Sequence, residues 1–147
     1  MSHAKETMDR FNLSRFTSAQ QGVYETVCTE LTRGRKQTHW IWFIFPQVDG
    51  LGHSPTAKQY AIKSRDEAVA YLATPLLGTR LIECTKLVLA VPNKSAHEIF
   101  GSPDDMKFRS SMTLFDAVDG GKIYRKALEH FYGERDPATL VILKKWA

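Results

Sequence analysis

Lysine, histidine and tryptophan crowd one short stretch of this chain, and that combination suits an anion better than any other ligand. Lys36 and His39 lie just before Trp40 and Trp42. An ammonium and an imidazole beside aromatic faces can hold a phosphate while a ring stacks on a base or sugar. A plainer role is open to the same residues, with Lys36 laying its stem on apolar surface and His39 hydrogen-bonded in the core. Gln47, Asp49, Gly50, Gly52 and Ser54 follow as a polar, glycine-bearing loop, and Tyr60 lies on the same connection. Such a loop lets backbone N–H groups approach an anion, or it is simply a turn.

A second polar set is Asp104, Lys107, Ser110 and Ser111. On a helix, Asp104, Lys107 and Ser111 project from the same side as Phe108 and Phe115, so they sit at or near the buried face. A desolvated lysine beside a serine can activate the hydroxyl as a nucleophile. Here the serines follow the lysine, which is not the order of the serine–lysine hydrolases. The set therefore reads as an anion-binding group, or as polar groups that satisfy buried helix ends. Arg109 points outward and reads as a surface ion pair with Asp105. The candidate ligand-binding residues are thus Lys36, His39, Trp42, Gln47, Ser54, Tyr60, Asp104, Lys107, Ser110 and Ser111, and no catalytic residue is assigned. No cofactor motif is present. His3, His39, His53, His97 and His130 show no ligand spacing and there is no Cys-x-x-Cys, so no metal is expected.

The elements that must position these residues are helices. Ala19, Val23, Val27 and Leu31 repeat at helical spacing, with Thr17 or Ser18 as N-cap and Gly34 as the glycine that closes the helix. The run Trp40, Ile41, Trp42, Phe43, Ile44 and Phe45 must be buried. Its composition suits a strand, yet no partner strand with matching alternation exists elsewhere. The spacing and that absence predict a buried helix over 36–45, ended by Pro46, with Lys36, His39, Trp40 and Phe43 on one face. Residues 47–56 form a loop. Ser64 and Glu67 then make a capping box, Thr74-Pro75 starts a helix striped with Leu77, Leu81, Cys84, Val88 and Val91, and Ser95 with Glu98 caps a short helix. Ser102-Pro103-Asp104-Asp105 opens a helix packing Phe108, Met112 and Phe115. Gly120-Gly121 breaks the chain before two more helices, the last starting at Asp136-Pro137. The expectation is one all-α domain of six to eight helices around a buried aromatic helix, over 11–147, after a flexible terminus at 1–10. Trp42, Phe43 and Phe45 should be largely buried in it, and Lys107 should face the 47–54 loop.

A length of 147 residues, 43% hydrophobic and 24% charged, is that of a globular domain with a real core. No apolar run is long enough for a membrane, and the polar start of the chain does not resemble a signal peptide. Cys28 and Cys84, the two cysteines, fall on apolar stripes and read as small buried hydrophobes in a reducing, cytoplasmic setting. The net charge of +4 favours anionic partners, but the basic residues are dispersed apart from Arg33, Arg35 and Lys36, which argues against nucleic acid.

The strings KQTHWIWFIFPQVDGLGHS, YAIKSRDEAVAYL, PLLGTRL and IFGSPDDMKFRSSMTLF resemble the bacterial domain-of-unknown-function family numbered eighteen-ten, from about residue 11 to 143. The resemblance implies a mainly α-helical single domain and carries over no catalytic residue. A looser similarity, around 61–81, is to helical proteins that handle ADP-ribose and ribosylated metabolites. The functional expectation is a soluble protein that binds or acts on a phosphorylated or nucleotide-like, ADP-ribose-type small molecule. The alternative is a structural or protein-interaction module with no small-molecule site. A concave pocket around Lys107, Ser111, His39 and Gln47 separates the two.

Overall fold

A computed structural model describes residues 9–146 of the chain. Among these it forms ten helices and no named strand. In chain order they are α1 (Ser14–Gln20), α2 (Tyr24–Thr32), α3 (Ile41–Ile44), α4 (Pro55–Gln59), α5 (Arg65–Ala73), α6 (Pro75–Ala90), α7 (Ala96–Phe100), α8 (Asp104–Ala117), α9 (Lys122–Phe131) and α10 (Pro137–Lys144). Of the flexible terminus expected at 1–10, residues 1–8 lie outside the described residues. Asp9 caps α1, its carboxylate accepting from the Ser14 backbone N–H at 3.1 Å and the Ser14 hydroxyl at 2.8 Å.

The two long helices, α6 and α8, frame the molecule. The short α3 packs against both, and so does α9. The aromatic run is therefore central, as its composition requires. The expected stripes are buried: Leu77, Leu81, Cys84 and Val88 on α6, and Phe108, Met112 and Phe115 on α8. From α3 the aromatic core runs outward, with Phe45 edge-on to Phe108 at 4.9 Å and Phe108 stacked on Phe100 at 4.7 Å.

The sequence misplaced the helix over 36–45. Only Ile41–Ile44 is helical, a single turn, and residues 36–40 run without helix. The cause is Glu30. Its carboxylate, on α2, accepts from the backbone N–H of Gln37 at 2.8 Å and of Thr38 at 3.1 Å. It also takes the Thr38 hydroxyl at 2.8 Å and the Trp40 indole N–H at 2.9 Å. A non-helical segment needs partners for its backbone, and a carboxylate can supply them as well as a neighbouring strand. Burial alone would raise the Glu30 pKa. The backbone N–H groups of Gln37 and Thr38, with the two side-chain donors, outweigh it and hold the carboxyl at about 2. Lys36, His39, Trp40 and Phe43 consequently do not share a helical face. On one turn, successive side chains diverge by about 100°, so four aromatics cannot all face inward. Trp40 and Phe45 are buried, whereas Trp42 and Phe43 are only half-buried, contrary to expectation.

Three smaller departures have local causes. The first expected helix is two, α1 and α2, separated at Gly22, whose φ of 82° no helix accommodates, so Thr17 and Ser18 lie inside α1 rather than capping it. Ser54, within the expected loop, caps α4 by accepting from the Ala57 N–H at 3.1 Å. Ser64 caps α5, but the capping box is incomplete. The Glu67 carboxylate turns to the Lys63 N–H at 2.9 Å and to Arg15 at 2.7 Å, while the box of Ser95 and Glu98 is complete. Arg15 also bonds the carbonyls of Phe11, Gln59 and Ala61, so α1 is tied to the loop before α5.

Candidate functional site

α2 ends in a Schellman motif, with the Arg35 N–H on the Glu30 carbonyl at 3.0 Å and the Gly34 N–H on Leu31 at 2.9 Å. The chain leaves it toward α7, where the Lys36 N–H donates to the Ile99 carbonyl at 2.7 Å. The lysine side chain is thereby aimed at the start of α8. Its Nζ meets the Asp104 carboxylate at 2.7 Å, donates to the Thr38 carbonyl at 2.6 Å and lies 5.0 Å from the Trp40 ring centre. Lys107, one turn along α8 from Asp104, approaches the other carboxylate oxygen at 3.7 Å and lies 5.0 Å from the Trp42 ring centre. One carboxylate therefore answers two ammonium groups, each over a tryptophan, and the cluster keeps a net positive charge. The lysines are not equivalent. The Lys36 side chain is 5% exposed and its charge is matched at short range, whereas the Lys107 side chain is 22% exposed and only loosely matched.

Lys107 borders a cavity of about 210 Å³. Gln47, Leu51 and Gly52 supply one wall, and Pro103, Met106, Lys107 and Ser110 of the α8 side supply another. A single parallel bridge between Val48 and Ile62 holds the loop wall, with the Ile62 N–H on the Gln47 carbonyl at 2.8 Å and the Asp49 N–H on the Ile62 carbonyl at 2.9 Å. Asp136 closes the cavity. Its carboxylate caps α10, accepting from the Thr139 N–H at 3.1 Å and the Thr139 hydroxyl at 2.5 Å. Because the Thr139 hydroxyl donates to Asp136, the buried Ser110 hydroxyl, 2.8 Å away, donates to Thr139. The Ser110 proton is thus committed inward, to Thr139. The cavity lining thus carries one ammonium, from Lys107, and one carboxylate, from Asp136.

The structure brings together six of the ten candidate residues: Lys36, Asp104 and Lys107 in the charge cluster, Trp42 beneath Lys107, and Gln47 and Ser110 on the cavity wall. The other four lie apart. His39 is exposed, on the non-helical approach to α3. Ser54 is occupied as the α4 cap. Tyr60 packs on Phe16 at 5.8 Å and Phe43 at 5.5 Å. Ser111 is fully buried, with a hydroxyl that finds no partner among the described residues. The expected pocket around Lys107, Ser111, His39 and Gln47 therefore keeps only Lys107 and Gln47. Arg109 also departs from expectation. It bonds the carbonyls of Glu134 and Arg135, and Asp105 instead faces His97 at 3.3 Å. Sequence reasoning missed Asp136 and Thr139. The Asp-Pro helix start marked the cap, but nothing in it indicated that α10 would meet Ser110.

Two larger hollows lie elsewhere. One of about 1190 Å³ runs between α6, the end of α8 and α9, and none of the ten candidates lines it. The other, about 630 Å³, lies between the α1–α2 elbow and α6. Among the described residues no group of histidine, cysteine or acidic side chains is placed to hold a metal ion, and no helix is long and apolar enough to cross a membrane.

These features define a single all-α domain packed around the short α3, whose flanking Trp40 and Phe45 are buried, with a cationic cluster where α8 begins. The chain belongs to the family described as a protein of unknown function, DUF1810, whose model matches residues 10–143. It is 50% identical to the conserved hypothetical protein Rv1873 from Mycobacterium tuberculosis, whose crystal structure matches with a TM-score of 0.91 over 92% of this chain and 99% of that one. No curated protein matches the chain.

Proposed function

We propose that this protein binds a small phosphorylated molecule through a phosphate seated in the cavity beside Lys107. The observation that carries the reading is the division of the Asp104 charge. Lys36 takes the short contact at 2.7 Å, and Lys107, at 3.7 Å, is left as the less-compensated cation beside the cavity. A partly desolvated ammonium gains most from an anion that comes to it. At about 210 Å³ the cavity is smaller than the roughly 300–1,000 Å³ of sites that enclose a whole small molecule. It accommodates a phosphate or pyrophosphate end, with the remainder of a nucleotide-like ligand outside. Lys107 lies over one face of Trp42, so that ring supports the cation. With Ser110 committed to Thr139, the role is binding and not nucleophilic chemistry.

Thermal unfolding with inorganic phosphate, pyrophosphate and ADP-ribose tests this. A ligand at a hundred times its Kd stabilises the native state by about 2.7 kcal/mol. In Lys107→Met, which keeps the apolar stem, folding should be near normal and the stabilisation lost. A variant that is destabilised and still binds the same anion would make Lys107 a structural ion-pair member and end the proposal.

The second reading, a protein-interaction module, is favoured by the hollow of about 1190 Å³. Lys86, Lys122 and Lys126 border it, and none has an acid within ion-pair distance among the described residues. On that reading no phosphorylated compound in the screen shifts the unfolding transition.

A further inference from the structure

We infer that the hollow between the α1–α2 elbow and α6 is a second binding site, for a monosaccharide-sized hydroxylated molecule that carries one anionic group. The inference is independent of the Lys107 cavity and rests on Arg80. This arginine projects from α6 into the hollow of about 630 Å³, a volume in the roughly 300–1,000 Å³ range of sites that enclose a small ligand. It has no acidic partner within ion-pair distance among the described residues, although it is partly buried. One N–H donates to the Gln20 side-chain oxygen at 3.1 Å, and its other N–H groups make no hydrogen bond to the described residues. A guanidinium carries five donors in a fixed plane, and a partly desolvated one without a countercharge favours an anion.

The guanidinium is also held still. It lies 4.4 Å from the Tyr24 ring centre. Gln20, which orients it, is 1% exposed, and its amide nitrogen donates to the Phe43 carbonyl at 2.7 Å and to the Tyr71 hydroxyl at 3.4 Å. Those bonds leave the Gln20 oxygen no direction but toward Arg80. A cation fixed by packing and by a buried second layer loses little freedom when an anion arrives.

The remaining lining sets the ligand's other features. Ser18, Gln21 and Glu25 offer a hydroxyl, an amide and a carboxylate, which suit ligand hydroxyl groups. The Glu25 charge disfavours a second anionic group. Leu76, 46% exposed at the rim, gives the carbon skeleton an apolar contact. Gly22 shapes the hollow: with φ at 82° it turns the chain from α1 into α2 and opens the space that a continuous helix would leave absent.

The test is a titration of the 15N-labelled full chain with gluconate, glucose 6-phosphate and glucose, followed by amide shifts. The expected result is saturable shifts at Ser18, Gln21 and Gly22 with gluconate or glucose 6-phosphate and none with glucose, the tighter anion telling carboxylate from phosphate. Arg80→Met should weaken that binding at least about tenfold, a change of roughly 1.4 kcal/mol. Ser18→Trp, at an exposed position, should block it while leaving the spectrum folded. If Arg80→Met does not fold, Ser18→Trp decides: loss of binding supports the site and unchanged binding overturns it. No saturable shift at the elbow with either anion, or Arg80→Met titrating like the wild type, also overturns it. Shifts confined to Gly52 and Lys107 would overturn the elbow site and leave the Lys107 reading standing.

Discussion

Glu30 offers the sharpest test of why the aromatic turn sits where it does. Its carboxylate accepts four hydrogen bonds, from Gln37, twice from Thr38 and from Trp40. Gln37 and Thr38 are exposed and can turn their donors to water in a variant, but Trp40 is 2% exposed and its indole N–H cannot. Glu30→Ala should therefore leave one fully buried donor unpaired, at about 1–3 kcal/mol, and lose charge-assisted bonds to the others, for a total of about 3–5 kcal/mol. Glu30→Gln keeps the length and one acceptor and should lose about 1–2 kcal/mol. The acid dependence is a second, independent readout. The folded-state pKa, about 2, is depressed below the ordinary glutamate value, so the contribution is fully present above about 4.5 and is lost as pH falls toward 2. Urea unfolding of wild type and Glu30→Gln at pH 7 and at pH 3 isolates this carboxyl from the others that titrate in that range, because the difference between the two proteins should shrink at pH 3. A Glu30→Ala midpoint equivalent to less than about 1 kcal/mol of loss would refute the argument. So would a wild-type-minus-Gln difference that is the same at both pH values.

Three further outcomes follow from the packing, each read by equilibrium unfolding. Phe45→Ala should cost about 3–5 kcal/mol and Phe43→Ala clearly less, because Phe45 is fully buried and Phe43 half-buried; equal losses would contradict the burial pattern. Gly78→Ala should destabilise the protein although alanine is the better helix former by about 1 kcal/mol, since the added Cβ would collide with the Leu72 carbonyl where α5 meets α6. A stabilised variant would mean the helices part easily there. Ser111→Ala should be neutral or stabilising, by up to about 1 kcal/mol, because it removes a buried hydroxyl that has no partner among the described residues; a loss above about 1 kcal/mol would show that the hydroxyl is bonded after all.

The helices were legible where a periodic stripe coincided with a cap. Leu77 to Val88 on α6 had both a regular stripe and a proline at its start, and it formed as read. Ser95 with Glu98 made the full capping box, because the partners lie three residues apart and no other hydrogen bond among the described residues competes for them. Ser64 with Glu67 has the same spacing and only half the box, because Arg15, far away in the chain, draws the glutamate off. Local signals fail where a distant residue makes a stronger offer to the same group, and that is a property of the fold and not of the motif.

The aromatic run failed for the same reason on a larger scale. The lack of a partner strand argues for a helix, but the backbone of 37 and 38 takes a third course, the Glu30 carboxylate. A single acid on the buried side of α2 is the one signal that could have indicated it, since a glutamate in that position must find donors or lose its charge. The consequence reaches the candidate site. With 36–40 released from a helix, Lys36 can reach back to Asp104 and His39 is turned out to solvent, so the lysine and histidine that looked paired in the sequence are separated. The pairing that did form joins Lys36 to a carboxylate on another element, and it is this contact that leaves Lys107 as the looser of two cations on one acid. The residues that can meet an anion are therefore set less by their spacing than by which of them the fold has already matched with a charge.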